Sequence, residues 1–304
     1  MYIIEAKTIL TPQNGLNIYR GSTDKCLVSP VYARTARVEN PEEIGVKPDA
    51  DVLLENSLKK KRSRGMITLG GMSDPYNTLE KEWKITRKCL RAIDRCDFGV
   101  SIHTRYSLLL RDLDILRELN RKTKVIVTIP LPTLQTEEFQ LIEGELGLSD
   151  RLHLIEELSK EGIEMVLLID PVIPWVNDTV TSLGMLIQLA KDYKIKYIEH
   201  RDMKTQLQNG SREHFYELLR DRDQKLCGRL AAHFGPNENE LIPENQKELL
   251  RYLVDRTGRN GIGYGATSQT EKEIICDKKE IQDYRRRYEN RTEGRQLELM
   301  DILA

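Results

Sequence analysis

Polar residues follow a short apolar segment in the stretch 70–76, and their types suit recognition of an amine. Gly70 and Gly71 carry no β-carbon, so a ligand can approach the backbone closely there. Ser73 and Asp74 can accept hydrogen bonds from an ammonium group. The same residues also suit a purely structural turn, in which Asp74 caps the helix that follows.

A second candidate position lies after the next apolar segment, at Thr104 and Arg105. A guanidinium group can bind a carboxylate through two parallel hydrogen bonds, so Arg105 is a candidate for an acidic ligand group. Tyr106 follows directly, and we expect its bulk to fill space that a ligand would otherwise occupy.

The five cysteines are too few and too scattered for a disulfide scaffold. A reducing compartment follows, and we expect a cytoplasmic protein. Cys26 has a basic neighbour, Lys25, which favours a reactive thiolate, whereas the alternative is a thiol without chemistry. The remaining cysteines are predicted to be small core residues: Cys89, Cys96, Cys227 and Cys276.

Other chemistries have weaker support. The five histidines show no H-x-x-x-H spacing, so a zinc hydrolase is not indicated. His200 could form a metal site with Glu199 and Asp202, or simply bond locally. In the loop 171–179, Trp175 is a candidate for stacking on a ligand, while the prolines favour a structural loop.

Strand-like and helix-like segments alternate along the chain and must position these residues. The predicted strands are 66–69, 98–103, 124–129, 164–169 and 194–199. The predicted helices are 51–64, 78–95, 111–121, 149–161 (with Ser149 as N-cap), 180–193 and 211–221. This alternation is typical of a parallel sheet with crossover helices, either open or closed, and the number of units favours a partial barrel.

Composition limits the class of protein. The chain has 304 residues, of which 39% are hydrophobic and 31% charged, which suits a globular protein and excludes disordered and fibrous classes. Lys and Arg total 47 against 48 Asp and Glu, so no overall field attracts nucleic acid or a membrane. The most apolar run, 165–176, is interrupted by Asp170 and two prolines and is shorter than the roughly 20 residues of a membrane span. We therefore expect no membrane partner and no signal peptide.

The character of the sequence changes after Ile262, where a glycine-rich turn is predicted and a highly charged segment follows. The apolar residues of that segment favour one amphipathic helix that packs on the body or on a partner. They are Ile274, Ile281, Tyr284 and Tyr288. We predict a barrel domain over residues 1–262 and a charged helical C-terminal extension over residues 263–304.

Several stretches, in chain order, carry a resemblance to a known family: 11–15, 17–21, 65–76, 86–90, 99–104, 110–112, 120–122 and 171–179. With them the chain resembles the radical S-adenosylmethionine (SAM) proteins of the spore photoproduct lyase-like group over roughly residues 8–260. The resemblance implies an α/β fold, a partial (β/α)6-type parallel barrel of the radical SAM kind with a C-terminal helical extension.

The resemblance also implies roles for individual residues. Such proteins hold a four-iron four-sulfur cluster on three cysteines spaced C-x3-C-x2-C, and SAM binds the fourth iron. The matching positions here are Ser22, Cys26 and Ser29, and a serine hydroxyl is a poor substitute for a thiolate. Contacts to SAM are implied for Gly70, Gly71, Ser73, Asp74, Tyr76, Thr104, Arg105 and Arg151, the last with a solvent-facing helix position as its alternative.

Three functional hypotheses remain open. The first is a degenerate radical SAM-like protein that lacks the cluster and acts as a binding or interaction module. The second is an active enzyme that cleaves SAM to a 5′-deoxyadenosyl radical, with unusual ligands such as Asp24 or with engineered serines. The third is a cluster-free barrel that binds SAM or another small molecule. A nucleic-acid partner would follow from family analogy alone.

Overall fold

A computed structural model describes residues 1–28, 43–207 and 210–266. Its strands are β1 Tyr2–Ile3, β2 Gly15–Leu16, β3 Tyr19–Arg20, β4 Gly45–Val46, β5 Met66–Leu69, β6 Gly99–His103, β7 Val125–Pro130, β8 Glu164–Ile169, β9 Tyr197–His200, β10 Thr205–Gln206, β11 Glu240–Leu241 and β12 Gly263–Ala266. Its helices are α1 Ala50–Lys59, α2 Glu80–Trp83, α3 Ile85–Arg95, α4 Leu113–Lys122, α5 Thr136–Glu143, α6 Leu148–Lys160, α7 Val180–Asp192, α8 Ser211–Arg222, α9 Gln224–Phe234 and α10 Gln246–Arg259. A 3-10 helix at Ser107–Asp112 precedes α4.

Seven of these strands form one sheet with the order β2, β5, β6, β7, β8, β9, β12. Every neighbouring pair is parallel. The spatial order follows the chain order without reversal, which is the arrangement of a partial parallel barrel and agrees with the predicted fold class. A small sheet of β1, β4 and β3 and the antiparallel pair β10–β11 lie beside it.

Two apolar clusters hold the layers together. The larger cluster joins the sheet to the helices that cross between its strands. The smaller cluster contains Leu27, Ile142, Ile173, Phe215 and Leu219, so it links the loop before residue 28 to α5 and α8. Leu27 is fully buried there, and burial of one leucine side chain contributes roughly 1.5–3 kcal/mol. The smaller cluster therefore fixes the position of the neighbouring residue, Cys26.

The strand predictions agree closely with the structure, since β5 and β8 have the predicted bounds. The prediction of a glycine-rich turn after Ile262 is wrong for residues 263–266, which form β12 and pair with β9. Gly263 is needed because a β-carbon there would lie 2.3 Å from the Tyr197 ring. The predicted extension starts at residue 263, and from residue 267 onward it lies outside the described residues, so the division into two domains stays a prediction.

The predicted helix 78–95 is wrong at one point, because Lys84 has a left-handed backbone (φ 52°) that separates α2 from α3. The buried carboxylate of Glu80 accepts hydrogen bonds from the backbone N–H groups of Thr86 (2.9 Å) and Arg87 (3.4 Å). It thereby caps the first turn of α3, because the first N–H groups of a helix have no acceptor within the helix itself. Ser149 is not an N-cap, since α6 starts at Leu148 and Gly147 precedes it.

Glu80 also joins a buried polar network that reaches four of the stretches behind the family resemblance. Its carboxylate accepts from the Tyr19 hydroxyl at 2.5 Å and from Arg111 Nη2 at 2.7 Å. Asp112, also fully buried, accepts from the Tyr76 hydroxyl at 3.2 Å and from Arg87 Nη1 at 2.8 Å. These residues therefore stabilise the packing of the loops against α3.

We predict that Glu80→Ala lowers the free energy of unfolding by about 3 kcal/mol, because it leaves the Tyr19 hydroxyl and the N-terminus of α3 without their acceptor and removes one of the two carboxylates paired with Arg111. Urea denaturation measures this change. The control is Glu82→Ala on the exposed side of the same helix, for which we expect a change within about 0.5 kcal/mol. Equal effects of the two substitutions would contradict the assigned role of Glu80.

Candidate functional site

The loops that follow β5 and β6 meet at the carboxyl-terminal edge of the sheet, where parallel folds place their ligands. Gly70 has φ 89°, and a β-carbon at this position would lie 2.0 Å from the backbone oxygen of His103. A glycine is therefore required at position 70, where the two loops contact each other. Gly71 differs, because it is exposed and no heavy atom lies within 4 Å of the position a β-carbon would take.

Asp74 ties the two loops together. Its carboxylate accepts hydrogen bonds from the Thr104 hydroxyl (2.6 Å), the Arg105 backbone N–H (2.7 Å) and the Tyr76 backbone N–H (2.9 Å). Burial raises the pKa of Asp74 to about 6, and the three hydrogen bonds oppose that rise. Asp74 does not cap the helix that follows, because α2 starts at Glu80; its carboxylate instead links the two loops, and its contact with a ligand stays a prediction.

The Arg105 side chain points at a second carboxylate, that of Glu143 at the end of α5. Arg105 Nε lies 3.3 Å from Glu143 Oε2, and Arg151 Nη2 lies 3.0 Å from the same oxygen. All three side chains are at least nine-tenths buried. Arg151 also donates to the backbone oxygen of Pro130 and lies over the Phe139 ring, 5.5 Å from its centroid. Arg151 therefore projects inward, and its solvent-facing alternative is wrong.

Charge pairing fixes the protonation of this cluster. Burial acts to raise the pKa of Glu143, but the positive charges of Arg105 and Arg151 hold it below its ordinary value. Burial acts to lower the pKa of Arg105, but the negative groups around it, Glu143 first among them, together keep that pKa above its ordinary value. Glu143 is thus a carboxylate shared by two guanidinium groups.

Cys26 lies against the same carboxylate. Its Sγ is 3.6 Å from the backbone oxygen of Glu143 and 3.9 Å from Oε2, and only 1% of the residue is exposed. Burial, followed by the negative charge of Glu143, raises the pKa of the Cys26 thiol far above its ordinary value. The expected effect of Lys25 on this thiol is therefore outweighed, and Cys26 is a protonated thiol.

Serines occupy the other two positions of the C-x3-C-x2-C spacing, and only the first of them lies in the described residues. Ser22 is buried, and its hydroxyl oxygen accepts from the Asp24 backbone N–H at 3.1 Å. Ser29 lies outside the described residues. Asp24, the suggested alternative ligand, accepts a short hydrogen bond from the Tyr106 hydroxyl. Tyr106 therefore joins the loop after β6 to the loop that carries Cys26.

The structure thus gathers most of the predicted residues into one connected cluster. The Tyr76 backbone N–H belongs to it through Asp74, whereas the Tyr76 hydroxyl points into the Asp112 network. Ser73 is buried beside the turn, and Gly71 is exposed there. Sequence reasoning missed Glu143, the centre of the cluster. It lies among several acidic residues of α5, a helix that was not predicted, and its position before Gly144 was the one local signal of a helix end.

The loop 171–179 has the structural role that was weighed for it. The Asn177 side chain accepts from the Ile173 backbone and donates to the oxygens of Pro132 and Pro171. Trp175 stacks under Arg229, whose guanidinium carbon is 3.8 Å from the ring centroid, so its face is covered by protein.

Within the described ranges, no group of three His, Cys, Asp or Glu residues could hold a metal, which removes the His200 metal site.

Among the helices of the described residues, none is long and apolar enough to cross a membrane.

No protein-family model matches the chain. An uncharacterized protein of Methanocaldococcus jannaschii is 25% identical over 173 residues, 56% of this chain and 65% of the relative. An uncharacterized protein of Mycobacterium tuberculosis is 26% identical over 182 residues, 57% of this chain and 53% of the relative. The matched segment thus spans less than two thirds of either relative.

Solved structures are similar over most of the described chain. A cysteine-to-alanine mutant of spore photoproduct lyase has a TM-score of 0.60 at 13% identity, covering 88% of this chain and 82% of the lyase. SuiB of Streptococcus suis, in a crystal structure bound to SAM, has a TM-score of 0.52 at 12% identity, covering 87% of this chain and 50% of SuiB. Both are radical SAM enzymes. The chain therefore has the fold of a partial parallel barrel of the radical SAM kind.

Proposed function

We propose that this chain is a radical SAM-like barrel that holds no four-iron four-sulfur cluster and serves as a binding or interaction module. The observation that carries the proposal is the environment of Cys26. The one cysteine at the three predicted ligand positions is a buried, protonated thiol beside a carboxylate. A module of this kind would use the barrel as a scaffold rather than as a site of radical chemistry.

The residues present do not fit the cluster. An iron–sulfur cluster needs thiolates, and here a thiolate at Cys26 would form directly beside the charge of Glu143. Ser22 offers a hydroxyl that is engaged with the Asp24 backbone, and Ser29 offers a second hydroxyl by its residue type. Asp24 is engaged with Tyr106.

Two of the residues expected to bind SAM, Arg105 and Asp74, already have charged or hydrogen-bonding partners within the protein. Arg105, the candidate for the SAM carboxylate, pairs with Glu143. Asp74, the candidate for the SAM ammonium group, accepts three hydrogen bonds from the protein. A ligand would have to displace these partners. If SAM took Glu143 away from Arg105, for example, the binding would have to offset the cost of leaving Glu143 with one fewer partner.

The neighbouring structures bear on two alternatives. SuiB is bound to SAM in one structure and to the precursor peptide SuiA in another, and spore photoproduct lyase is bound to SAM and a dinucleoside spore photoproduct. At 12–13% identity these ligands belong to those proteins. The grouping of Thr104, Arg105 and Asp74 at the sheet edge favours cluster-free SAM or small-molecule binding as the second candidate function.

We predict that the anaerobically reconstituted protein binds no stoichiometric iron or sulfide, measured by elemental analysis and by visible absorbance. The matched variant is S22C/S29C, which restores three cysteines at the same spacing. It should take up more iron than the wild type, because it supplies two further soft donors. Four irons per wild-type chain, together with reductive cleavage of SAM, would contradict the proposal and establish the active enzyme.

We also predict no saturable binding of SAM to the metal-free protein in calorimetry up to about 1 mM, a range that detects affinities of about 4 kcal/mol or better. The physical reason is the prior pairing of Arg105 and Asp74. Saturable binding that is lost in Arg105→Gln and kept in Arg91→Gln, an exposed position of α3, would favour the cluster-free SAM barrel instead.

A further inference from the structure

Residues 22–26, here termed the strap, cross the mouth of the site between α5 and α8. Cys26 Sγ contacts Glu143 from the strap side, and Asp24 bonds to Tyr106. The strap therefore lies directly against the cluster of Arg105, Glu143 and Arg151. Any ligand that reaches this cluster from the α8 side has to pass it.

One residue of α8, Arg222, holds the strap onto α5. Its Nη1 donates to the backbone oxygen of Leu141 at 2.7 Å, and its Nη2 makes a short hydrogen bond to the backbone oxygen of Lys25. A single guanidinium group thus joins the last turn of α5 to the strap. Burial lowers the pKa of Arg222. No carboxylate is hydrogen-bonded to it among the described contacts, so its donors serve backbone oxygens.

A second residue of α8 acts at the next peptide. His214 Nε2 lies 3.0 Å from the backbone oxygen of Cys26, and because a carbonyl can only accept, Nε2 carries the proton of this hydrogen bond. Two consecutive strap carbonyls are therefore held by one helix. The strap itself contributes the Asp24 side chain and the Cys26 thiol to its closed position.

Two cavities border the strap. A cavity of about 350 Å³ is lined by residues 22–25 together with His214, Glu217 and Asp221 of α8. A second cavity of about 640 Å³ is lined by Lys25 and by residues of α5 and α8. Lys25 borders both, so free volume lies next to residues 22–25 of the strap. Gly21, with φ 98°, precedes the strap, and the buried Leu27 anchors its other end.

We propose that the strap is a gate for the Arg105–Glu143 cluster and that Arg222 is its latch. The closed strap is held by polar contacts from α8 and flanked by space, whereas Leu27 stays packed in the smaller apolar cluster. Opening exposes Cys26 and the cluster behind it. The proposal deepens the proposed function, since it concerns access to the same site, but its test involves neither iron nor SAM.

The test is the rate of thiol alkylation in the full chain, followed by mass spectrometry of each cysteine-containing peptide. Cys26 is the reporter of the gate, Cys227 reports on the contact of α9 with α8, and Cys89 reports on unfolding of the body. When closing is fast, alkylation of a buried thiol follows the population of the open form. The wild type provides the baseline for all three rates.

We expect Arg222→Gln to raise the Cys26 rate about tenfold, the factor that corresponds to 1.4 kcal/mol in the opening equilibrium, with Cys89 and Cys227 unchanged. Arg222→Lys should restore part of the protection, because an ammonium group can still donate to one of the two carbonyls. Arg220→Gln, an exposed position of the same helix, should match the wild type.

Two results would overturn the gate. One is an unchanged Cys26 rate in both Arg222→Gln and His214→Gln, since the latch would then hold nothing. The other is equal acceleration of Cys26, Cys89 and Cys227 in both variants, since Cys26 would then be exposed by unfolding of the body rather than by movement of the strap. Selective acceleration of Cys26 supports the gate whether or not the protein binds SAM.

Discussion

A single buried carboxylate, that of Glu143, is the constraint on which the candidate site depends. It receives Arg105 from the loop after β6, Arg151 from α6 and the Cys26 thiol from the strap. Each of the two guanidinium groups would be an uncompensated buried charge without it. The geometry of the mouth of the barrel therefore depends on this one acceptor. Burial raises the pKa of the Cys26 thiol most, and the negative charge of Glu143 adds to that rise.

Under the proposed function, the same arrangement accounts for a barrel of this kind that works as a binding module. The neighbouring structures share a partial parallel barrel, and a barrel presents its loops at one edge whatever those loops contain. In this chain the loops present groups that satisfy one another: Asp74 with Thr104, Tyr106 with Asp24, and Arg105 with Glu143. The protein itself therefore supplies hydrogen-bonding or charged partners for these side chains.

Regular features of the fold could be predicted from the sequence because they depend on local patterns. β8 is a run of six residues, EMVLLI, and β5 is similarly apolar, so buried parallel strands were evident. The edge strand β12 was missed because two of its four residues are glycines, and the reason for Gly263 is a contact with Tyr197, sixty-six positions earlier in the chain. The break at Lys84 was missed because the capping group, Glu80, lies inside the same apparent helix.

The candidate site could be predicted only in part. The strand-end rule identified Asp74, Thr104 and Arg105, and the structure brings these together. The partner of Arg105 could not be predicted, since Glu143 reaches it from α5, and the one local signal at Glu143, the following Gly144, indicates only the end of a helix. The family resemblance implied that Tyr76 contacts SAM, whereas the Tyr76 hydroxyl donates to Asp112.

The central claim is that Cys26 is a protonated thiol paired with Glu143 and not a cluster ligand. Mössbauer spectroscopy of protein reconstituted anaerobically with ⁵⁷Fe and sulfide tests it most directly, with Cys26→Ala as the matched sample. The account predicts that the wild type and Cys26→Ala give the same spectrum, without a four-iron four-sulfur signal. A four-iron four-sulfur signal that is present in the wild type and lost in Cys26→Ala would contradict it.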